Sequence, residues 1–302
     1  MDMGAVIALL LVLSTLTACS GGTVTDVKNA LPALAAVPEE TTVTYTVEVT
    51  EYADIIRDDD GTELVEYSYQ IPVLLAVRSD GSQVLEAASP AEKAALEAVE
   101  VFNSRFSDWM EEGRLVELAD YARSDRAWRE EYGETWDESD MYTESLTCRV
   151  YATEHLVSVS ALCDSYTGGA HPNQVLLSWN FDLTAGKFFS PAALATDSQE
   201  IGDLVTEEII RQAEARAAED GTAPEDGTAP EEFFWENYRE IAADWGSYAV
   251  SFDETGMTVG YSPYEMACYA AGPQVFTLTY EQLLPGLSDH GKEVLELTDT
   301  VE

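Results

Sequence analysis

Tyr166-Thr167-Gly168-Gly169-Ala170-His171-Pro172-Asn173 lies near the middle of the 302-residue chain and holds one of its three histidines. The two adjacent glycines free the backbone to take positive φ or to approach another group closely. Pro172 fixes its own φ and biases His171 towards an extended conformation. Both flanks have the residue pattern of strands, Leu156 to Ser165 before and Val175 to Leu183 after. The stretch therefore reads as a rigid, glycine-opened loop between two strands. An ordinary tight connection and a ligand-contacting loop share these residue types, and nothing local separates them.

The rest of the chain supports a folded body around that loop. Hydrophobic residues make up 46% and aromatics 10%, too rich in aromatics for an acidic disordered chain. The length suffices for a sizeable core in one large or two modest domains. Charge is lopsided, 57 acidic against 15 basic residues for a net −42. Such a surface repels nucleic acid and anionic headgroups and attracts cationic partners.

Ala5 to Leu16 is almost wholly apolar but shorter than the roughly 20 residues of a spanning helix, and reads as a signal-peptide core. It ends in Leu16-Thr17-Ala18-Cys19, which resembles the bacterial lipoprotein signal; residues 1–18 are then the signal peptide and Cys19 the lipidated N-terminus. Two or more acyl chains on one residue suffice for stable anchoring to the membrane. The departure from that pattern is an n-region, Met1-Asp2-Met3, without Lys or Arg. Residues 19–40 read as a flexible tether. Three further cysteines, Cys148, Cys163 and Cys268, leave an odd thiol whatever pairs, and their pairing stays open.

Along the body, Thr41 to Glu51 alternates with period two, a half-buried strand. Asp58-Asp59-Asp60-Gly61 is a turn; set as a calcium loop it would place Ile56 and Tyr67 at ligand positions, which fails. Leu64 to Val77 reads as one or two more strands. Ser89-Pro90-Ala91-Glu92 is a capping-box helix start, with Ala95, Val99, Phe102, Phe106, Trp109 and Met110 on one face and Gly113 as the stop. A second helix, Arg114 to Glu131, is expected to turn Leu115, Leu118, Tyr121 and Trp128 inward. Ser190-Pro191 and Asp197-x-x-Glu200 open two more helices, the longer with a buried stripe of Ile201, Leu204, Val205 and Ile209. The exact repeat of Glu219–Pro224 in Glu225–Pro230 reads as a flexible insertion. Helical spacing resumes over Phe233–Ala243, and a hairpin (Tyr248–Phe252, Met257–Tyr261) and a strand (Gln274–Tyr280) follow.

Three pieces then carry a resemblance: Tyr166-Thr167-Gly168-Gly169-Ala170-His171 with Asn180-x-Asp182-Leu183-x-x-Gly186-Lys187; Met257-x-Val-x-Tyr261-x-x-Tyr264-Glu265; and Tyr269-Ala270-Ala271-Gly272-Pro273. Together they resemble the extracytoplasmic, lysozyme-sensing domain of the anti-sigma factor RsiV, a domain also found ahead of PdaC-type peptidoglycan deacetylases. The likeness spans roughly Thr41 to Gly286, so residues 41–180 and 181–288 would be the N- and C-terminal parts of one domain and 289–302 an acidic tail. It implies an α+β fold, an antiparallel sheet with packed helices, and a role in binding rather than catalysis. The signalling role does not carry over, since the chain shows neither a sigma-binding segment nor a true transmembrane helix. Cys268 stands where the family often has proline, and could pair with Cys163 or Cys148.

No H-E-x-x-H, G-x-S-x-G, C-x-x-C or clustered Cys/His pattern is present, so neither a catalytic residue, a metal site nor a cofactor is expected. Of the histidines, His155 falls in a hairpin turn, His290 in the polar tail, and His171 alone is placed like a site residue. The expected function is a lipid-anchored binding protein on the outer face of a bacterial membrane. Its partner would be a cationic, lysozyme-like protein, met by Tyr166, Gly168, Gly169, His171, Asn173, Tyr261, Tyr264 and Tyr269. Binding of peptidoglycan or another wall glycan is the alternative, and an unrecognised wall hydrolase with His171 as acid or base a third.

Overall fold

The computed structural model describes residues 42–110, 112–219 and 233–297. They belong to one unit running from Thr41 onward. Cys19, the signal and tether, nearly all of the hexapeptide repeat and the last residues of the tail lie outside them. The first element is a long hairpin, β1 (Val43–Arg57) and β2 (Glu63–Arg78), closed by the Asp58–Gly61 turn. Leu64–Val77 is thus a single strand despite Pro72. β3 (Tyr142–Ala152) pairs with β2 only from Val65 to Tyr69, so Pro72 falls on a stretch with no strand to receive its missing N–H. Beyond it the Asn103 side chain takes the strand's place, accepting from Leu74 N (2.8 Å) and donating to Leu74 O (3.1 Å).

β4 (Leu156–Tyr166), β5 (Asn173–Asp182) and the short β6 (Lys187–Phe188) complete a six-stranded sheet in sequence order. Every joint is antiparallel except β2–β3, which is parallel. The two helices inserted there supply the long crossover a parallel joint needs. In α1 (Pro90–Ser104), Ser89 Oγ accepts from Glu92 N, while the Glu92 carboxylate reaches Ala88 N and Arg78. Ala95, Ala98, Phe102 and, just beyond, Phe106 are buried against the sheet, where Phe102 meets Phe181 edge to face.

Gly113 does not stop this helix. α1 ends at Ser104, and Gly113 is the second residue of α2 (Glu112–Glu131). The expected inward face of α2 is also corrected. Tyr121 and Trp128 are 59% and 55% exposed, and the small Ala119 and Ala122 are buried instead. Charge explains the choice. Arg123 and Arg126 meet Asp58 (3.3 and 2.9 Å) and Arg126 meets Asp60 (2.6 Å), so the helix is turned to lay these arginines on the β1–β2 turn, while Arg129 meets Asp140 beyond the helix end (2.7 Å). The acidic turn that fails as a calcium loop is an arginine seat.

The second layer holds a three-stranded antiparallel sheet, β7 (Ala249–Phe252), β8 (Gly256–Tyr261) and β9 (Gln274–Thr279), backed by α3 (Ser198–Glu219) and α4 (Tyr238–Ala243). Ile201, Val205 and Ile209 are buried as expected, against a core with Met257, Val259, Phe276 and Leu278. The small sheet stands on the large one through the outer edge of β7. Val250 N donates to Ser178 Oγ (2.7 Å), Asn180 Nδ2 to Val250 O (2.7 Å) and Phe252 N to Ser158 Oγ (2.8 Å), while Ser158 Oγ donates to Asn180 Oδ1 (2.8 Å). The outer edge of β9 is closed by the Gln212 amide, which exchanges hydrogen bonds with Thr277. A short helix α5 (Tyr280–Leu283) follows β9.

The stretch from Asp289, expected as a polar tail, begins with a docked helix, α6 (Asp289–Val294), in which Gly291 and Val294 are buried, as is Leu295 after it. Ser288 N and Oγ both donate to Leu194 O at 2.9 Å. His290 Nε2 lies 3.0 Å from Oδ2 of the buried Asp182, so it has a structural partner that the sequence did not suggest.

Candidate functional site

The Tyr166–Asn173 connection and the segment after β8 meet at the surface. Gly168 (φ 84°) and Gly169 (φ 105°) both use the left-handed region, which turns the chain back so that Ser165 pairs with Asn173. Tyr166 Oη donates to Gly169 O (3.2 Å) and braces the turn. On the other side, Leu176 N donates to Ser262 Oγ (3.1 Å), and a Cβ on Gly260 would stand 2.8 Å from Leu176 Cδ1. Glycine at 260 therefore permits the close approach that brings the end of β8 to β5.

The contact itself is aromatic. The His171 ring stacks on Tyr269 with centroids 3.6 Å apart and planes 16° from parallel. His171 Nδ1 is 2.9 Å from Pro172 O and Nε2 is 3.2 Å from Tyr264 Oη. A carbonyl only accepts, so Nδ1 carries the proton and, in the neutral ring, Nε2 accepts from the tyrosine hydroxyl. Both imidazole nitrogens are thus engaged within the protein. Tyr264 has φ 73°, the left-handed region that costs a non-glycine residue about 1–2 kcal/mol. It is held there by Tyr264 N to Ala267 O (3.0 Å) and by Trp235 Nε1 donating to Tyr264 O (3.2 Å). Tyr264 remains 55% and Trp235 38% exposed.

Of the residues expected at a binding surface, His171, Tyr264 and Tyr269 come together, with Tyr166, Gly168, Gly169 and exposed Asn173 shaping the loop beside them. Tyr261 is a correction. It is fully buried, packed between Tyr248 (4.5 Å) and Phe276 (5.9 Å), and belongs to the core of the small sheet. Strand alternation accounts for this, since Val259 and Tyr261 share the face of β8 that packs inward. Trp235 was missed. Its only signal was an aromatic beside Phe233 and Phe234, in a segment read as continuous helix.

Asn180, Asp182 and Gly186, which helped carry the resemblance, have structural roles. Asn180 joins the two sheets, Asp182 Oδ1 accepts from Ala185 N (2.8 Å) while Oδ2 faces His290, and Gly186 turns with φ 62° against Ala98. Cys148 and Cys163 are buried free thiols on neighbouring strands, Cys148 opposite Ala161 and Cys163 opposite Leu146; burial pushes both up to about 11. Cys268 is free and exposed. Among the described residues no Cys, His, Asp and Glu cluster could hold a metal ion, and no helix is long and apolar enough to cross a membrane.

Residues 187–281 match the model of a family described as a protein of unknown function (DUF3298). That match takes in Tyr264 and Tyr269 but begins after the His171 loop. Among solved structures, a member of the DUF3298 family from Bacteroides fragilis NCTC 9343 aligns with 86% of this chain and all of its own, at 14% identity and a TM-score of 0.54. A DUF3298 family protein from Pseudomonas aeruginosa PAO1 aligns with 83% of this chain and 96% of its own, also at 14% identity, with a TM-score of 0.42. No curated protein matches. The chain is thus α+β with the fold of the Bacteroides protein, and its residues 187–281 are similar to the DUF3298 model.

Proposed function

We propose that the protein is a binding protein held at the outer face of a bacterial membrane by lipid on Cys19, and that it captures a cationic, lysozyme-like protein in the manner its resemblance to the RsiV domain implies. The observation that carries this reading is the exposed group of His171, Tyr264, Tyr269 and Trp235, built from three separate segments of the chain, with Tyr264 held in a strained backbone. Large, partly exposed aromatic side chains on a fixed backbone make good interface anchors. A chain of net −42 steers a basic partner towards them. With both nitrogens of His171 engaged inside the protein, binding fits the geometry better than proton transfer does.

The test is binding of the soluble body, Ser20 onward, to lysozyme at low and moderate salt, with Tyr264→Ala beside it. Micromolar or tighter binding that weakens with salt, and about tenfold more in the variant, is expected. No binding at low salt refutes the reading. Salt-insensitive retention on peptidoglycan would replace it with the wall-glycan alternative.

A further inference from the structure

The angle between the two sheets encloses a groove of about 470 Å³, separate from the aromatic group. One wall is the open face of the large sheet, where Thr147 and Leu162 are paired neighbours, as are Arg149 and Ser160. The other is the solvent face of the small sheet, with Ser251 opposite Thr258, and Gly260 opposite Val275. Leu162, Leu176 and Val275 give the groove an apolar side.

Its polar groups are conspicuously uncommitted. The hydroxyls of Thr147, Ser160, Ser251 and Thr258 make no hydrogen bond with any described residue. Nor does Arg149 close on a carboxylate of any described residue. Eight other arginines do, namely Arg57, Arg78, Arg114, Arg123, Arg126, Arg129, Arg211 and Arg239. Yet Arg149 shares the groove with Asp253 and Glu254. Asp253 Oδ1 is occupied by Thr255 N (2.7 Å), Thr255 Oγ1 (2.6 Å) and Gly256 N (3.2 Å), while Oδ2 and the Glu254 carboxylate take no hydrogen bond or ion pair from any described residue. Burial pushes the Asp253 carboxyl up, but those donors and the nearby Arg149 charge hold it below its ordinary value, so it stays ionised. A cation and two anions thus face one cavity without touching, beside an apolar side and four open hydroxyls.

We propose that this groove binds a small zwitterion with an aliphatic side chain, an α-amino acid or a dipeptide. Its carboxylate meets Arg149, its ammonium meets Asp253 Oδ2 and Glu254, and its side chain lies on Leu162, Leu176 and Val275. The hydroxyls serve groups that both donate and accept, as an amide does. The volume falls in the range of small-molecule sites, roughly 300–1,000 Å³. The inference is independent of the lysozyme reading and stands or falls separately from it.

Calorimetric titration of the full chain tests it with leucine and leucyl-leucine as probes and N-acetyl-leucine and leucinamide as controls. The expected result is saturable binding of leucine or leucyl-leucine, the tighter of the two identifying the source. Loss of either charged group, or Arg149→Ala or Glu254→Gln, weakens binding about tenfold or more. Tyr264→Ala leaves it unchanged. Both side chains are exposed, so these variants keep the fold. Absence of binding by both zwitterions, equal binding by the blocked controls, or undiminished binding to Arg149→Ala overturns the proposal.

Discussion

Replacing Asn180 by alanine tests whether the two sheets are joined by a few side-chain hydrogen bonds. Asn180 is 4% exposed, accepts from Ser158 Oγ at 2.8 Å and donates to Val250 O at 2.7 Å. Truncation strands the Val250 carbonyl and takes the acceptor from Ser158, whose own oxygen holds Phe252 N at 2.8 Å. Each buried group left unsatisfied costs about 1–3 kcal/mol, so the pair sums to about 2–6 kcal/mol. That is a large part of the roughly 5–15 kcal/mol that stabilises a typical domain. Chemical denaturation followed by tryptophan fluorescence measures it, since Trp179 adjoins Asn180 and Trp245 lies in the core of the small sheet. Because Ser158 and Asn180 share a bond, Ser158→Ala with Asn180→Ala should cost less than the sum of the single changes. A loss below about 1 kcal/mol for Asn180→Ala, or strict additivity of the pair, refutes the reasoning.

Three further expectations concern other parts of the fold. Cys268 should take up a maleimide quickly at pH 8 while Cys148 and Cys163, buried and pushed up to about 11, stay unlabelled until denaturant is added; peptide mass mapping reads each thiol, and early labelling of the buried pair counts against the packing. The sign for stability follows. A raised folded value means the two thiols contribute fully below their ordinary value of about 9 and lose that contribution as pH rises towards 11, so alkaline melting should move upward in Cys148→Ala relative to the parent's slope. Gly291→Ala places a Cβ 2.2 Å from Leu194 O and should lift α6, costing about 3 kcal/mol by denaturation; an unchanged midpoint would mean that α6 contributes nothing to the body.

Much of the framework was legible because local patterns were strong. The glycine pair, the strands around it, the helix start at Ser89 and the stripe of α3 all follow short-range rules that tertiary packing did not override. The failures share a cause. Tyr121 and Trp128 point outward because the ion pairs of Arg126 with Asp58 and Asp60 fix the rotation of α2, and a hydrophobic stripe cannot register a partner 66 or 68 residues away. Tyr261 matched a motif, but a motif does not say which side of a strand faces the core. α6 looked like tail because its buried positions are only a glycine and a valine among charges, followed by a single buried leucine. The groove left no trace in sequence at all, since it arises where Arg149, on the large sheet, and Asp253, in the β7–β8 turn, come to line one cavity.

The strand edges have one thing in common. Asn103 closes β2 at Leu74, Gln70 Oε1 accepts from Cys148 N on β3 (3.0 Å), Asn180 meets the edge of β7 and Gln212 the edge of β9. In each place a side-chain carboxamide stands in for the peptide unit of an absent neighbouring strand. Carboxamides hydrolyse slowly, and the product carboxylate has no N–H. At Leu74, Val250 and Thr277 it would set a negative charge against a carbonyl oxygen, so spontaneous deamidation at Asn103, Asn180 or Gln212 would unseal a strand edge with no mutation. An exposed edge is a template for pairing with another chain. The molecule's shelf life is therefore written in a few amide groups, and ageing should show first as added negative charge and only then as aggregation.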